Sequence, residues 1–357
     1  MRRSRTIAIT LLLLATAGLP GAAQYEEDEE TEDQRRRDEE YYKRYLQEEE
    51  QPSPAAPADD AELAEAFLVK ADELIRDKNH RSVIGARYKV QTDDPRVDLK
   101  SVDKLLESFR GFFDAFWADR APGRTYDDQG RFFLFYSYHK YNQLVGGDWS
   151  RQTVRPKGHY GSMIDAVVIH TDSDRAGGLP NTLVHESAHQ LVDQILYGGT
   201  APPSLWVSEG LATYYENTFM NADGEFEAGV VGGKQISVFR DGGDKAVSDA
   251  KSRVRSSREA FRAAAAEDER LLLTVISADD PSEFYGRNPM ANYDLAWLLV
   301  HFLFHGDEGS HADSFVSYLR LEAEGRGGVE AFLGEIGLTA AELDTAVERH
   351  TKSVKVR

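Results

Sequence analysis

The stretch Asn181–Glu216, NTLVHESAHQLVDQILYGGTAPPSLWVSEGLATYYE, constrains the fold more than any other part of this chain. Its first half predicts an amphipathic helix, because apolar residues recur there at helical spacing. Pro180 and Asn181 are typical of a helix start, and Gly198 with Gly199 of a helix end. The apolar stripe comprises Leu183, Val184, Ala188, Leu191, Val192, Ile195 and Leu196. After a short turn-rich loop, WVSEGLATYYE predicts a second helix that returns antiparallel to the first.

The polar face of the first helix carries the residue types of a metal site. His185 and His189 are four residues apart, so they leave the same helix face one above the other. Neutral imidazoles suit Zn²⁺, and a catalytic zinc usually has three protein ligands and one open position. Glu209, on the second helix, is the predicted third ligand. Glu186 points to one side of the histidine pair, where a carboxylate can act as general base.

The HExxH pattern also arises by chance. His185 and His189 would then be ordinary helix residues, and Glu186 would belong to a solvated face. Three features favour the metal site over this alternative. The opposite helix face is apolar, the strand-like run AVVIH precedes the helix, and Glu209 lies in an amphipathic helix of its own.

Elsewhere the chain predicts strands first and helices later, which favours an α+β fold with an N-terminal mixed or antiparallel sheet and a mostly helical C-terminal part. Helical spacing is present in residues 62–75 and 102–117, and strand patterns occur in residues 85–93, 131–138 and 163–172. The predicted strands therefore do not alternate regularly with the predicted helices. The predicted C-terminal helices are Trp206–Phe219, Arg255–Ala266, Tyr293–Phe304, Ala312–Ala323 and Ala340–His350.

The N-terminus predicts export. MRRSR, an apolar run and the small residues before Ala23 form the pattern of a signal peptide over residues 1–23. Residues 24–60 are acidic and low in aliphatic residues, which indicates a disordered segment and linker. Residues 61–357 are the predicted globular domain. We therefore expect a periplasmic or secreted protein without stable membrane insertion.

HESAH followed by WVSEGLA resembles the gluzincin metallopeptidases, and among them the peptidase-MA-like group of exported bacterial proteins. The spacing between His189 and Glu209 is that of thermolysin-like enzymes, while Trp206, Gly210 and Ala212 resemble zinc aminopeptidases. The resemblance implies a zincin-like catalytic domain over residues 61–357. It also implies one zinc ion on His185, His189 and Glu209, with Glu186 as general base.

The same resemblance implies an oxyanion donor at Tyr293, which begins the helix NYDLAWLLVHFL. A phenol suits this role because it stays protonated near neutral pH; Tyr285, His301 and His305 are alternatives. Two features depart from the relatives. Thr213 stands where thermolysin-like enzymes place an aspartate that orients the first histidine, and the exopeptidase motif is not evident. AVVIH, residues 166–170, is the predicted edge strand for substrate backbone.

These features predict an exported zinc peptidase that acts on a peptide or protein substrate. Two alternatives stay open: an inactive binding or scaffold protein on the same fold, and a zinc hydrolase of a non-peptide amide. The net charge of −19 argues against nucleic acid as a partner. The sequence leaves the oligomeric state open.

Overall fold

A computed structural model describes residues 60–121, 125–146, 157–171, 178–198, 202–242, 250–267, 270–278, 280–285 and 289–357. The predicted signal peptide, and the predicted acidic segment up to residue 59, lie outside these residues. The described chain is mixed α+β, which confirms the predicted fold class. Within these ranges, no helix combines the length and apolar character that a membrane span requires.

A five-stranded mixed sheet forms the N-terminal part. Its strands are β1 (Arg81–Ile84), β2 (Tyr88–Thr92), β3 (Gly130–Phe135), β4 (Gly158–Gly161) and β5 (Ala166–His170). Their order is β1-β2-β3-β5-β4. The three central strands run parallel, and the two outer strands pair antiparallel with their neighbours.

Helices cover both faces of this sheet. They are α1 (Asp60–Ile75), α2 (Leu99–Trp117) and α3 (Tyr138–Val145). Side chains of β3 alternate between the faces: Phe132 and Leu134 join a core with α2, whereas Phe133 and Phe135 join a second core with α1 and α3. This alternation is the period-two geometry of a strand.

Two predictions about the sheet are wrong. Residues 166–170 form β5, which is an interior strand, and β4 lies outside it as the edge. All five residues of β5 are buried, as is typical of strands covered on both faces. The sequence also predicted no alternation of strand and helix. In the structure, however, β2, α2 and β3 form a parallel crossover unit.

The stretch 181–216 forms two helices, as predicted. Helix α4 spans Leu179–Leu191 and continues into a π-helical turn, Val192–Tyr197. Helix α5 spans Leu205–Glu216. It ends three residues before the predicted Phe219, because the chain enters strand β6 (Thr218–Met220) directly afterwards.

The remainder is mostly helical. Its helices are α6 (Ala250–Glu267), α7 (Leu271–Ile276), α8 (Pro281–Phe284), α9 (Pro289–His305), α10 (Ala312–Ala323), α11 (Val329–Ile336) and α12 (Ala340–His350). A small second sheet, which the sequence did not predict, joins β6 to β7 (Phe226–Val231) and β8 (Lys355–Val356). Helix α9 packs against α5 so closely that a Cβ on Gly210 would lie 2.9 Å from the carbonyl oxygen of Ala296. Glycine at position 210 therefore sets how near α9 comes to the helix that carries Glu209.

Candidate metal centre

Helix α4 presents the two predicted histidine ligands side by side. The Nε2 atoms of His185 and His189 are 3.1 Å apart, and the ring centroids are 4.8 Å apart. The helix rests on the core through Leu183, Val184 and Ala188, all fully buried. The four-residue spacing thus places both imidazoles on the face opposite the core, as the sequence predicted.

Helix α5 brings Glu209 to the histidine pair. Glu209 Oε2 lies 3.4 Å from His185 Nε2 and 3.6 Å from His189 Nε2. Zinc bonds of about 2.0–2.1 Å in a tetrahedron require ligand atoms roughly 3.3 Å apart, so the triangle has the size of a zinc site. Oε2 is buried and has no hydrogen-bond partner among the described residues. A buried carboxylate oxygen of this kind needs a positive partner.

Each histidine has a second contact that orients its ring. His185 Nδ1 lies 3.1 Å from Glu216 Oε2, and His189 Nδ1 lies 3.0 Å from Ser208 Oγ. A ring that donates through Nδ1 directs the lone pair of Nε2 at the metal position. Glu216 is therefore the acceptor that orients the His185 ring in this structure. Glu216 was not predicted from the sequence, although it follows Glu209 by seven residues and hence lies on the same helix face.

Charges in this cluster shift one another's protonation. Burial opposes a charge on His185, but its close contacts with the carboxylates of Glu209 and Glu216 raise the pKa of His185 well above its usual value. Burial likewise opposes a charge on Glu216, but its hydrogen bond to His185 lowers the pKa of Glu216 to about 2. The histidine pair lowers the pKa of Glu209 against the effect of burial. The cluster therefore favours two anionic carboxylates around a shared positive charge.

Two tyrosines lie on the other side of Glu209. The Tyr285 hydroxyl donates to Glu209 Oε1 at 2.5 Å, and the ring centroid of Tyr293 is 6.1 Å from that of Tyr285. The ring centroid of Tyr293 is 6.4 Å from that of His185. Burial, and then the charge of Glu209, raise the pKa of both phenols, so both remain donors. The structure thus brings Tyr293 and the alternative Tyr285 to the site.

The other two alternatives to Tyr293 lie elsewhere on α9. His301 Nδ1 is 2.8 Å from His350 Nε2, and His305 Nε2 is 2.8 Å from the Tyr214 hydroxyl. Neither histidine is among the described residues that line the cleft beside the metal ligands. The structure therefore separates both histidines from the candidate centre.

Glu186 reaches the cleft from beneath the edge strand β4. It is 6% exposed, and a Cβ on Gly158 would lie 2.8 Å from its Cγ and Oε1 atoms. Burial, with a contribution from Glu209, raises the pKa of Glu186, while the two histidines oppose the shift. A carboxylate with a raised pKa is suited to accept and return a proton.

A cleft of about 310 Å³ opens onto these groups. Strand β4 borders it, so the edge of the main sheet lies next to the three ligand atoms. Its lining also includes exposed apolar side chains such as Met290. The described lining residues are Gly158, His159, Tyr160, Ser162, His185, Glu186, His189, Asp193, Pro202, Pro203, Leu205, Ser208, Glu209, Tyr285, Pro289, Met290 and Tyr293.

Comparisons with known proteins give one family. Residues 180–326 match the family described as "Protein of unknown function (DUF1570)". This segment is less than half of the chain, and it runs from the start of α4 to just beyond α10. No curated protein matches the chain. The chain is therefore similar to this family over the segment that carries His185, Glu186, His189 and Glu209, together with Glu216 and both tyrosines.

Proposed function

We propose that the protein is a zinc-dependent peptidase of gluzincin type with a zincin-like catalytic domain. His185, His189 and Glu209 hold one zinc ion, and Glu186 is the general base. The triangle of ligand atoms, with sides of 3.1, 3.4 and 3.6 Å, carries this proposal. It is supported by Glu209 Oε2, which lacks a hydrogen-bond partner among the described residues.

The side chains around the triangle divide the work of amide hydrolysis. The three ligands would hold a zinc ion, which would supply a Lewis acid for the substrate carbonyl and the attacking water. Glu186 accepts the proton of the attacking water and returns it to the departing amine. Tyr293 donates a hydrogen bond to the oxygen that gains negative charge. Tyr285 holds Glu209 through Oε1 and leaves Oε2 free for the ion.

The edge strand β4 suits an extended peptide substrate. Its outer side has no strand neighbour within the described sheet, and residues 158–160 line the cleft. An added peptide strand would pair with this backbone and lie along the ligand atoms. This position supports a peptide over a small non-peptide amide as the substrate. Glu186, buried against β4 and open to the cleft, supports catalysis over an inactive binding role.

We also propose that the protein acts outside the cytoplasm. The pattern of residues 1–23, with its basic end, apolar run and small residues before Ala23, supports export and cleavage there. N-terminal sequencing of the mature protein from a bacterial expression host tests this part separately.

Metal content and turnover test the mechanism together. Purified wild-type protein should take up one zinc ion per chain and hydrolyse a denatured protein substrate. Glu186→Gln should keep the zinc and lower kcat by about 10²- to 10⁴-fold, because only the proton acceptor is lost. His185→Ala should lose the zinc and the activity together.

The controls separate the alternatives. Glu330→Gln, an exposed glutamate on α11, makes the same chemical change away from the cleft and should behave as wild type. Full activity in Glu186→Gln contradicts the mechanism. Failure of the wild type to take up zinc supports the binding or scaffold alternative, and zinc uptake with hydrolysis of small amides only supports the non-peptide alternative.

A further inference from the structure

Asp193 is an acidic residue of the cleft that the proposed mechanism does not use. It follows His189 by four residues and lies in the π-helical turn Val192–Tyr197 that continues α4. Its side chain lines the same cleft as the metal ligands, yet the residue is only 6% exposed. Asp193 is therefore a nearly buried carboxylate placed beside the reaction centre.

One oxygen of this carboxylate is fixed and the other is free. The Tyr160 hydroxyl donates to Asp193 Oδ2 at 2.8 Å, and Gln194 Nε2 donates to the same hydroxyl at 3.2 Å. Asp193 Oδ1 has no hydrogen-bond partner among the residues that the structure describes. Tyr160 thus holds the carboxylate in one orientation and leaves an acceptor for a group that enters the cleft.

The cleft also carries an excess of negative charge. Its described lining residues include the carboxylates Glu186, Asp193 and Glu209, and neither lysine nor arginine. A divalent ion balances two negative charges, so one remains. A buried carboxylate is unfavourable unless it is paired with a positive group. Apart from the histidines, of which His185 and His189 belong to the metal site, the described lining offers no positive side chain, which leaves the substrate to supply one for Asp193.

We propose that Asp193 binds a cationic group of the peptide substrate next to the bond that is cut. The group is either the α-ammonium of a peptide N-terminus or the side chain of lysine or arginine, since a free carboxylate oxygen accepts hydrogen bonds from each. This proposal rests on the proposed peptidase function, because it assigns one part of that substrate. Asp193 touches substrate in this role and determines specificity.

Binding without turnover gives the first test. Zinc-loaded Glu186→Gln protein, with and without Asp193→Asn, is titrated with one labelled peptide in three forms. The forms are a free N-terminus without lysine, an acetylated N-terminus without lysine, and an acetylated N-terminus with one lysine. We expect the first or third form to bind more tightly than the neutral form. Asp193→Asn should reduce the ratio of the Kd for the neutral form to the Kd for the preferred cationic form by at least about tenfold.

Turnover gives the second test. In the Glu186-containing enzyme, Asp193→Asn should lower the ratio of kcat/KM for the cationic form to kcat/KM for the neutral form, also by at least about tenfold. Asp223→Asn, an exposed residue after β6, changes net charge equally and should leave the ratio as in wild type. A preference for the first form identifies the α-ammonium, and a preference for the third form identifies a basic side chain.

Either experiment can overturn the proposal. It is wrong if the three forms bind equally, or if Asp193→Asn weakens them all by the same factor. A wild-type enzyme that binds cationic peptides through Asp193 but cuts none of them contradicts the proposed peptidase function and leaves the cation subsite standing. The two failures are therefore distinguishable.

Discussion

At the scale of single residues, the candidate centre consists of side chains that each have two contacts. His185, His189 and Glu209 direct one atom at the metal position, and each uses its other atom to contact Glu216, Ser208 or Tyr285. Such outer contacts fix the tautomer and the angle of a ligand. The three candidate ligand atoms are consequently held in their triangle by contacts within the chain itself.

Glu216 offers the clearest test of this arrangement. Glu216→Gln should weaken zinc binding by about 10- to 100-fold, because the amide no longer stabilises the donating Nδ1 of His185 as a carboxylate does. Competition with a chromogenic chelator measures the zinc Kd. An unchanged Kd contradicts the assigned role, and Thr213→Ala is the internal control, because Thr213 Oγ1 has no hydrogen-bond partner among the described residues.

The residues of the site were predictable to different degrees. His185, Glu186, His189 and Glu209 lie in one stretch with helical spacing, so the sequence alone placed them together. Glu216 could also have been predicted from the sequence, since helix geometry aligns it with Glu209. Tyr285 was predicted only as an alternative to Tyr293, because its contact with Glu209 depends on long-range packing. Asp193 was not predicted, although it follows His189 by four residues, because its place in the cleft depends on the π-helical turn.

At the scale of elements, the close packing of α5 against α9 holds Glu209, the candidate third ligand, in place. The interface has no room for a side chain at Gly210, since a Cβ there would also lie 2.9 Å from Val300 Cγ2. Gly210→Ala should therefore separate the two helices and lower the free energy of unfolding by about 1–3 kcal/mol. It should also weaken zinc binding, because Glu209 precedes Gly210 directly.

Gly111 supplies the matched control for this substitution. It lies within α2, and a Cβ at this position would meet no heavy atom within 4 Å among the described residues. Gly111→Ala should stabilise the protein by about 0.4–1 kcal/mol through the unfolded chain and leave zinc binding unchanged. Urea unfolding of the metal-free proteins measures the stability change, and chelator competition measures zinc binding. Equal effects of the two substitutions would show that helix contact at Gly210 does not matter.

Element boundaries show where sequence patterns succeed. Helices α10 and α12 were predicted at their observed limits, since their apolar residues recur clearly at helical spacing. The strands of the second sheet were missed because they are only three, six and two residues long. Strand β4 was missed for a similar reason: GHYG carries two glycines, and its pairing with β5 is a tertiary property.

At the scale of the whole molecule, a group of histidines joins the C-terminal elements. His301 on α9 contacts His350 on α12 and the carbonyl oxygen of Gly229 on β7. Burial lowers the pKa of His301 to about 3 and that of His305 to about 4, with nearby positive groups contributing. Burial also lowers the pKa of His350.

These shifts predict a loss of stability in mild acid. In the unfolded chain His301 and His305 take up protons near pH 6.5, whereas in the folded chain they do so only near pH 3–4. The unfolded state therefore binds more protons as pH falls below about 6.5, and the free energy of unfolding falls with it. For His301 alone, the loss between about pH 7.5 and pH 5 is about 2 kcal/mol.

His301→Gln isolates this contribution. Urea unfolding of metal-free protein at both pH values should show a fall for the variant that is smaller than the wild-type fall by about 2 kcal/mol. Because the comparison is between the two falls in the free energy of unfolding from pH 7.5 to pH 5, any pH-independent effect of the substitution on stability cancels. Identical pH dependence of the two proteins would exclude His301 as the acid-sensitive group.

The contact between Gly158 and Glu186 has a consequence for how the site can vary. The backbone of β4 lies against the Glu186 carboxylate, and a Cβ at position 158 would come within 2.8 Å of it. Under the proposed mechanism, a larger residue at this edge position should displace the base and lower turnover while the three candidate ligands keep their places. Related chains that keep the HExxH motif but carry a larger residue here are then expected to lack hydrolytic activity.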